Sequence, residues 1–259
     1  MRIQLRFVLL TALIFGVTVS SCKKTISFQG NVLTNYYIPL QVGKYITYRM
    51  DSLNFYFYGQ NDTITSYLAK DSVEQETVDG TGAKVWLVTR YLSDTTGLFW
   101  SPSMTYVVSP SSSAIDVSED NLRFVKLGFP MDQGFSWTGN TYLPYNPYQD
   151  LFSYSDYNNL DLSTWNYVYT QVNQPFTVGN GTTFDSATTI LQIADSTNVP
   201  ITNPGAFAAN TYWSETYAKH IGMIYRYTVM WEYQPPTPDG SQAGYKIGFG
   251  LTMSIVGHN

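Results

Sequence analysis

Residues 212–233 read YWSETYAKHIGMIYRYTVMWEY, and this stretch decides the fold class. Aromatic and β-branched residues dominate two runs, 212–218 and 223–233, and such residues favour β-strands. The short segment Lys219-His220-Ile221-Gly222 between them ends in glycine, which adopts the left-handed backbone conformation easily. The stretch therefore predicts two antiparallel strands joined by a tight hairpin turn.

The same pattern recurs along the rest of the chain, with turn residues every ten or so positions. Further strands are predicted over residues 44–50, 63–73, 83–91, 104–108, 122–127, 165–172, 184–194 and 244–256. No stretch after residue 21 shows the sustained three-to-four-residue apolar spacing of a helix, although a short helix is conceivable over 206–210.

These observations predict an all-β protein with a single antiparallel domain over residues 36–259. A sheet of many strands must protect its edges by closing or curling, so a strongly curved sheet or a partly open barrel is expected. A two-sheet β-sandwich is the alternative.

The start of the chain has the features of an export signal. Residues 1–6 carry two arginines and no acid, and 7–19 are almost wholly apolar but too short to span a bilayer stably. They end at Val19-Ser20-Ser21-Cys22, which resembles the lipobox of bacterial lipoproteins. This resemblance implies a signal peptide over 1–21 and a membrane anchor of acyl chains, such as palmitate, on Cys22. Residues 22–35 are polar and are interpreted as a tether.

The charge and cysteine content exclude several classes of protein. Removal of residues 1–21 would take away two arginines and no acid, so the net charge would change from −5 to −7. A mildly acidic chain is a poor candidate for nucleic-acid binding. Cys22 is the only cysteine, so disulfide bonds cannot stabilise the fold.

Three phrases carry a further resemblance. Residues 37–45 read YIPLQVGKY, 129–137 read FPMDQGFSW and 217–225 read YAKHIGMIY. As a set they resemble conserved phrases of Bacteroidota cell-envelope lipoproteins to which no activity is assigned. The resemblance implies a β-rich envelope protein. Lys23 and Lys24 follow the anchor where surface-exported relatives tend to carry acids, which favours the periplasmic face of the outer membrane over the cell surface.

No catalytic, metal-binding or cofactor-binding signature is found. The two histidines, His220 and His258, have no partner at metal-ligand spacing, and no nucleophile or phosphate-loop motif is present. Glycosidases need only two acids, and Glu215 and Glu232 fall on the two arms of the predicted hairpin. A lipid-anchored glycan hydrolase using this pair is therefore an alternative hypothesis; solvent-facing carboxylates are the simpler interpretation.

One segment, about 142–165, interrupts the strand pattern with aromatic residues among Asn, Asp and Pro. A connection of this length is usually functional or disordered. Large rings with polar tips suit ligand recognition, and the candidate ligand-binding residues are Tyr145, Tyr148, Tyr154, Tyr157 and Trp165. The competing interpretation is that these rings fold back and cap an open sheet.

Asp followed by Ser or Thr and then a small or apolar residue (or Thr) recurs more often than the roughly one or two matches expected by chance. The pattern resembles the O-glycosylation acceptor of Bacteroidota envelope proteins, and turn chemistry explains it equally well. The candidate acceptors are Ser52, Thr63, Ser72, Thr95, Ser186 and Ser196.

The leading hypothesis is a non-enzymatic envelope lipoprotein that binds a ligand or partner in or beside a curved β-sheet. Candidate partners besides the membrane are a glycan, a lipid or an envelope protein. A third hypothesis is a purely structural envelope protein, which predicts a filled core.

Overall fold

The protein is described from a computed structural model that covers residues 36–148 and 161–259. The signal, lipidation and tether predictions for 1–35 lie outside the described residues. The twelve strands are β1 (Tyr45–Tyr56), β2 (Asn61–Val78), β3 (Lys84–Ser93), β4 (Ser101–Pro110), β5 (Ala114–Glu119), β6 (Leu122–Gly128), β7 (Ser136–Thr138), β8 (Asn166–Thr177), β9 (Thr183–Thr197), β10 (Ala208–Ala218), β11 (Gly222–Gln234) and β12 (Tyr245–His258).

All twelve strands belong to one antiparallel sheet in the order β6-β5-β4-β3-β2-β1-β12-β11-β10-β9-β8-β7. Strands that follow one another in sequence lie side by side, except for β6 and β7, which form the two edges of the sheet. In addition, β1 pairs with β12. The sheet therefore curls into a nearly closed barrel whose two free edges, β6 and β7, face each other across an unsealed seam. The predicted all-β domain with a partly open barrel is confirmed, and the two-sheet sandwich is wrong.

Bulges explain how one sheet curls so far. Register shifts occur in several ladders, for example between Thr47 and Tyr48 of β1 and between Thr216 and Tyr217 of β10. An extra residue on one strand bends it and increases its twist. Such shifts are found around the sheet, so the curvature is spread over many strands.

The seam is bridged at a few points. Val125 N donates to Gly139 O at 2.7 Å, and the Trp137 indole donates to Val125 O at 2.8 Å. A Cβ on Gly128 would stand 2.8 Å from the Trp137 ring, so glycine is what allows the ring to lie against β6. The Tyr169 hydroxyl of β8 also donates to Gly128 O at 2.8 Å. In the part of the chain that the structure describes, the seam is thus held by side-chain packing and isolated hydrogen bonds rather than by a continuous ladder.

The interior holds the core, and we call the end of the barrel where β1 begins the lower end. Residues 36–44 cross this end: Tyr37 and Leu40 are buried, and Gly43 N donates to Val73 O at 2.8 Å. The opposite end, where β1 leads into β2, is called the upper end.

The predicted hairpin is confirmed, because β10 and β11 flank residues 219–221. His220 also takes the left-handed conformation, with φ at 64°, while Gly222 has φ at 116°. The short helix considered over 206–210 is wrong. Ala208 and Ala209 instead begin β10, where they pair with Tyr233 and Glu232, and Ala208 packs in a small cluster with Trp231.

Candidate functional site

Six charged side chains form a continuous chain across the middle of the barrel. Three are acidic and three basic, and neighbours of opposite sign alternate along it. The links are Arg90 Nε–Asp71 Oδ1 at 2.7 Å, Arg90 Nη1–Glu119 Oε1 at 2.9 Å, Arg226 Nη1–Glu119 Oε2 at 3.7 Å, Arg226 Nε–Glu215 Oε1 at 2.9 Å and Lys126 Nζ–Glu215 Oε1 at 2.7 Å. We call this set the charge chain.

The charge chain joins opposite walls of the barrel. Asp71, Arg90, Glu119 and Lys126 come from β2, β3, β5 and β6, whereas Glu215 and Arg226 come from β10 and β11. Alternate residues of a strand face the same side of the sheet. On β2, for example, Asp71 lies on the inward face with Ala69 and Val73. The charges are therefore interior residues by strand periodicity and not surface residues that bend inward.

Two tyrosine hydroxyls donate hydrogen bonds to carboxylates of the charge chain. Tyr106 donates to Asp71 Oδ2 at 3.0 Å, and Tyr217 donates to Glu215 Oε2 at 2.7 Å. Burial raises the pKa of both tyrosines well above the usual value of 10.0, and the neighbouring carboxylates raise it further. Both hydroxyls therefore stay protonated and act as donors.

The cations hold the two central carboxylates, Glu215 and Glu119, ionised. Burial alone would raise the pKa of Glu215, but Lys126 and Arg226 outweigh burial and lower the pKa to about 2. The pKa of Glu119 is also lowered, because Arg226, Arg90 and Lys126 outweigh its burial. At neutral pH both carboxyl groups are therefore carboxylates, and neither holds a proton to give away.

Two cavities lie on either side of the charge chain, and Glu119 and Arg226 line both. The lower cavity measures about 90 Å³, and its wall combines aliphatic side chains with four tyrosines and with Asp71, Arg90, Glu119 and Arg226 of the charge chain. It is closed at the bottom by Ile38, Pro39 and Leu40. The upper cavity measures about 190 Å³ and lies toward the end of the barrel occupied by Tyr148.

The upper cavity is lined by two kinds of side chain. The first kind is aromatic, namely Tyr148, Trp213 and Phe249, with centroid separations of 5.9 Å for Tyr148–Trp213 and 5.7 Å for Tyr148–Phe249. The second kind consists of the charge-chain residues Lys126, Glu215, Glu119 and Arg226. Leu122, Phe124, Thr228 and Leu251 also line the cavity, together with the exposed Asp120.

Two buried donors at this cavity lack an acceptor among the described residues. One is the indole Nε1 of Trp213, a side chain only 5% exposed. The other is Nε of Arg226, which lies 2.9 Å from Glu215 but does not point its hydrogen along that line. Buried donors are nearly always satisfied in folded proteins, so an unsatisfied donor that lines a cavity calls for a partner such as a water molecule or a ligand.

The aromatic segment predicted to bind a ligand is placed only in part. Trp165 is buried and packs edge-on against Trp213, with ring centroids 5.1 Å apart. Tyr148 lines the upper cavity, and Tyr145 is exposed. Tyr154 and Tyr157 lie outside the described residues. The buried position of Trp165 and the half-buried position of Tyr148 agree with rings that cap the barrel, while ligand binding by the five residues stays a prediction.

The predicted carboxylate pair is not brought together. Glu215 lies opposite Arg226, whereas Glu232 lies opposite Ala209, six residues further along β11. Six residues of a strand span about 20 Å, which exceeds the roughly 5–10 Å that glycosidase acids require. Both side chains are also buried, so the solvent-facing interpretation is wrong as well.

The six candidate O-glycosylation positions differ in accessibility. Thr63, Thr95 and Ser196 are exposed, and Ser52, Ser72 and Ser186 are half-buried. Only the first three present the access that a transferase needs without local opening of a strand. Glycosylation itself stays a prediction.

Among residues 36–148 and 161–259, no three His, Cys, Asp or Glu side chains are grouped so that they could hold a metal ion. Over the same residues, no helix has the length and apolar character needed to cross a membrane.

Sequence reasoning missed most of the charge chain, with Glu215 the exception. A signal was present: Arg90 follows Val88 at a two-residue spacing, and Asp71 precedes Val73 in the same way. A charge that falls in phase with inward apolar residues predicts a buried ionic group. Which charges meet across the barrel depends on contacts such as Lys126–Glu215, whose residues are 89 positions apart.

No protein family and no curated protein matches the chain. Among solved structures, it is similar to a candidate exported protein of Bacteroides fragilis with a YmcC-like fold. The sequence identity is 12%, the similarity covers 86% of this chain and 99% of that one, and the TM-score is 0.31. A TM-score this low says nothing about the function of this chain, and the barrel interior is the feature that bears on it.

Proposed function

We propose that the protein is a lipid-anchored protein of the bacterial cell envelope that binds a small ligand in its upper cavity and catalyses no reaction. The observation that carries the proposal is the cavity itself, into whose wall two buried donors are built without acceptors. A purely structural barrel would be expected to fill this space with side chains, because protein interiors are closely packed.

The size of the cavity supports a compact ligand. A water molecule needs roughly 10–15 Å³ of such space, so about 190 Å³ accommodates on the order of a dozen non-hydrogen atoms. The wall combines apolar rings with a few polar groups, as ligand sites usually do.

The state of the carboxylates supports binding over hydrolysis. A glycosidase needs one carboxyl group with a raised pKa to protonate the leaving group. The two carboxylates of the charge chain that line the upper cavity, Glu119 and Glu215, have lowered pKa values and are paired with cations. Such carboxylates accept hydrogen bonds and position a ligand.

The anchor is the second part of the proposal. The lipobox-like Val19-Ser20-Ser21-Cys22 supports acylation at Cys22, and Lys23 and Lys24 support the periplasmic face of the outer membrane. Cells that express the full chain should incorporate labelled palmitate into wild type and not into Cys22→Ser. Fractionation should then find the unlabelled variant released from the membrane. Equal labelling of both would disprove the anchor.

Ligand binding is tested by filling the cavity. Thr228 is buried and lines it, so Thr228→Phe should occupy the ligand's place. We would measure the shift in melting temperature of the mature chain with a panel of molecules of about a dozen atoms, drawn from neutral sugars, carboxylates and amines. Wild type should be stabilised by at least one class and Thr228→Phe by none.

Thr105→Phe is the matched control, because Thr105 is exposed on the outer face of β4. Should Thr228→Phe fail to fold, Thr228→Leu fills less of the space and should still weaken binding. If no class stabilises wild type more than the filled variants, the proposed function is wrong.

A further inference from the structure

We infer that the ligand of the upper cavity is a neutral sugar ring of monosaccharide size. This inference depends on the proposed function and adds the chemical class of the ligand. It follows from three properties of the cavity: its charge balance, its lining by both aromatic and charged residues, and its hydrogen-bonding groups.

The charge balance disfavours an ionic ligand. The charge chain contains three acidic and three basic groups, all paired with one another. A ligand with a net charge would enter an interior whose charges are already compensated, and a buried charge without a partner is strongly unfavourable. The exposed acid at the rim, Asp120, adds repulsion against an anion.

The two kinds of lining residue match a molecule that is apolar on its faces and polar around its rim. Tyr148, Trp213 and Phe249 present ring surfaces, and ring faces favour contact with C–H groups. Lys126 and Glu215 provide charged hydrogen-bonding groups in the same cavity. A sugar ring has C–H groups on its faces and hydroxyls around its edge, so it can contact both kinds of residue at once. An acyl chain would leave the charged groups without hydrogen bonds.

The hydrogen-bonding groups call for a ligand that both donates and accepts. Trp213 Nε1 and Arg226 Nε need acceptors. Lys126 has three N–H donors and donates one hydrogen bond, to Glu215. Glu119 and Glu215 are ionised and can accept further hydrogen bonds. Hydroxyl groups supply both functions, whereas an amine only donates and a carboxylate only accepts.

The experiment compares sugars that share one ring and differ in charge. Glucose, glucuronate and glucosamine are titrated into the mature chain, with galactose, mannose and N-acetylglucosamine as further neutral rings, and binding is followed by calorimetry. At least one neutral sugar should bind, and glucuronate and glucosamine should each bind about tenfold more weakly or not at all.

A tryptophan variant tests the position of the ligand. Trp213→Phe keeps an aromatic ring and removes the buried donor, so it should weaken the sugar about tenfold, as loss of one buried hydrogen bond does. Trp86→Phe is the matched control. The Trp86 indole also lacks an acceptor among the described residues, yet Trp86 does not line the upper cavity. Its removal should leave the affinity unchanged.

The outcomes separate the two proposals. Tighter binding of glucuronate or glucosamine than of every neutral sugar would overturn the sugar inference and leave the proposed function standing. The same holds if only molecules other than sugars bind wild type and not Thr228→Phe. Equal weakening by Trp213→Phe and Trp86→Phe would also overturn the inference, because the ligand would then not contact Trp213. If no molecule distinguishes wild type from Thr228→Phe, both proposals fail.

Discussion

The lower and upper cavities share a barrel and a dividing wall, yet they are built differently. The lower one is smaller, has Ile38, Pro39 and Leu40 at its bottom, and combines aliphatic side chains with tyrosines. The upper one is larger and carries the rings of Tyr148, Trp213 and Phe249. Each is lined by four members of the charge chain. The unsatisfied indole donor of Trp213 lines the upper cavity and not the lower one, which is why the ligand is placed in the upper one.

The difference teaches what the charge chain contributes. An apolar core would be about as stable as a buried ionic chain, because desolvation offsets most of the attraction between the charges. Stability alone therefore does not explain the presence of the charge chain. The charge chain gives both cavities a polar boundary: Asp71 and Arg90 line the lower one, Lys126 and Glu215 line the upper one, and Glu119 and Arg226 line both.

Removal of the Arg226 charge from the middle of the charge chain should change the free energy of unfolding the most. Arg226→Met would leave Glu215 and Glu119 short of a cation while both remain buried. We expect a loss of about 3–5 kcal/mol in the free energy of unfolding, measured by urea denaturation. Arg49→Met is the control: Arg49 is 59% exposed and pairs with Asp51 at the surface, so we expect a loss of about 1 kcal/mol or less. Similar losses in both variants would mean that the wall contributes no more than a surface pair.

Acid should weaken the contribution of the charge chain to stability. The pKa of Glu215 is about 2 in the folded chain against an ordinary 4.5, so its contribution is complete above pH 4.5 and is lost as the pH falls toward 2. Glu215→Gln should reduce the loss of unfolding free energy between pH 7 and pH 2 by about 3 kcal/mol relative to wild type. The control is Glu76→Gln, at an exposed pair with Lys84. An unchanged pH profile in Glu215→Gln would show that this carboxylate is not held ionised by the wall.

Filling the lower cavity should have the smallest effect, and a favourable one. Val117 is buried and lines it, so Val117→Ile adds one methyl group to open space. The free energy of unfolding should rise by about 0.5–1 kcal/mol, with ligand binding in the upper cavity unchanged. Val256→Ile, on an exposed side chain, should change neither quantity. A loss of ligand binding in Val117→Ile would show that the two cavities act as one.

Strand positions and the open barrel could be predicted from the sequence, because they depend on local alternation and turn residues. The hairpin around His220 was found in this way. Strands β5 and β7 were missed: Ala114–Glu119 is short, and Ser136–Thr138 has only three residues. Short strands at the edges of a sheet carry too few alternating positions to stand out from a connection.

The site was harder to predict, for two different reasons. The separation of Glu215 and Glu232 follows from the register of their hairpin, which the turn determines, so counting from Gly222 could have excluded that pair. The charge chain could not be found so directly. Its members come from six strands, and bulges shift the alternation between Arg90 and Tyr91 and in other ladders. The inward charges that meet can be identified only once the strands are arranged in the barrel.

The pairing of β1 with β12 has a consequence for the order of folding. The first and last strands lie side by side over eight residue pairs, and Tyr45 N donates to the Asn259 side chain at 2.8 Å. A contact between strands so far apart in sequence requires a long loop to close. This pairing joins the half-sheet β1–β6 to the half-sheet β7–β12. Both cavities are lined by residues of both half-sheets, so neither cavity is complete until β12 has docked on β1.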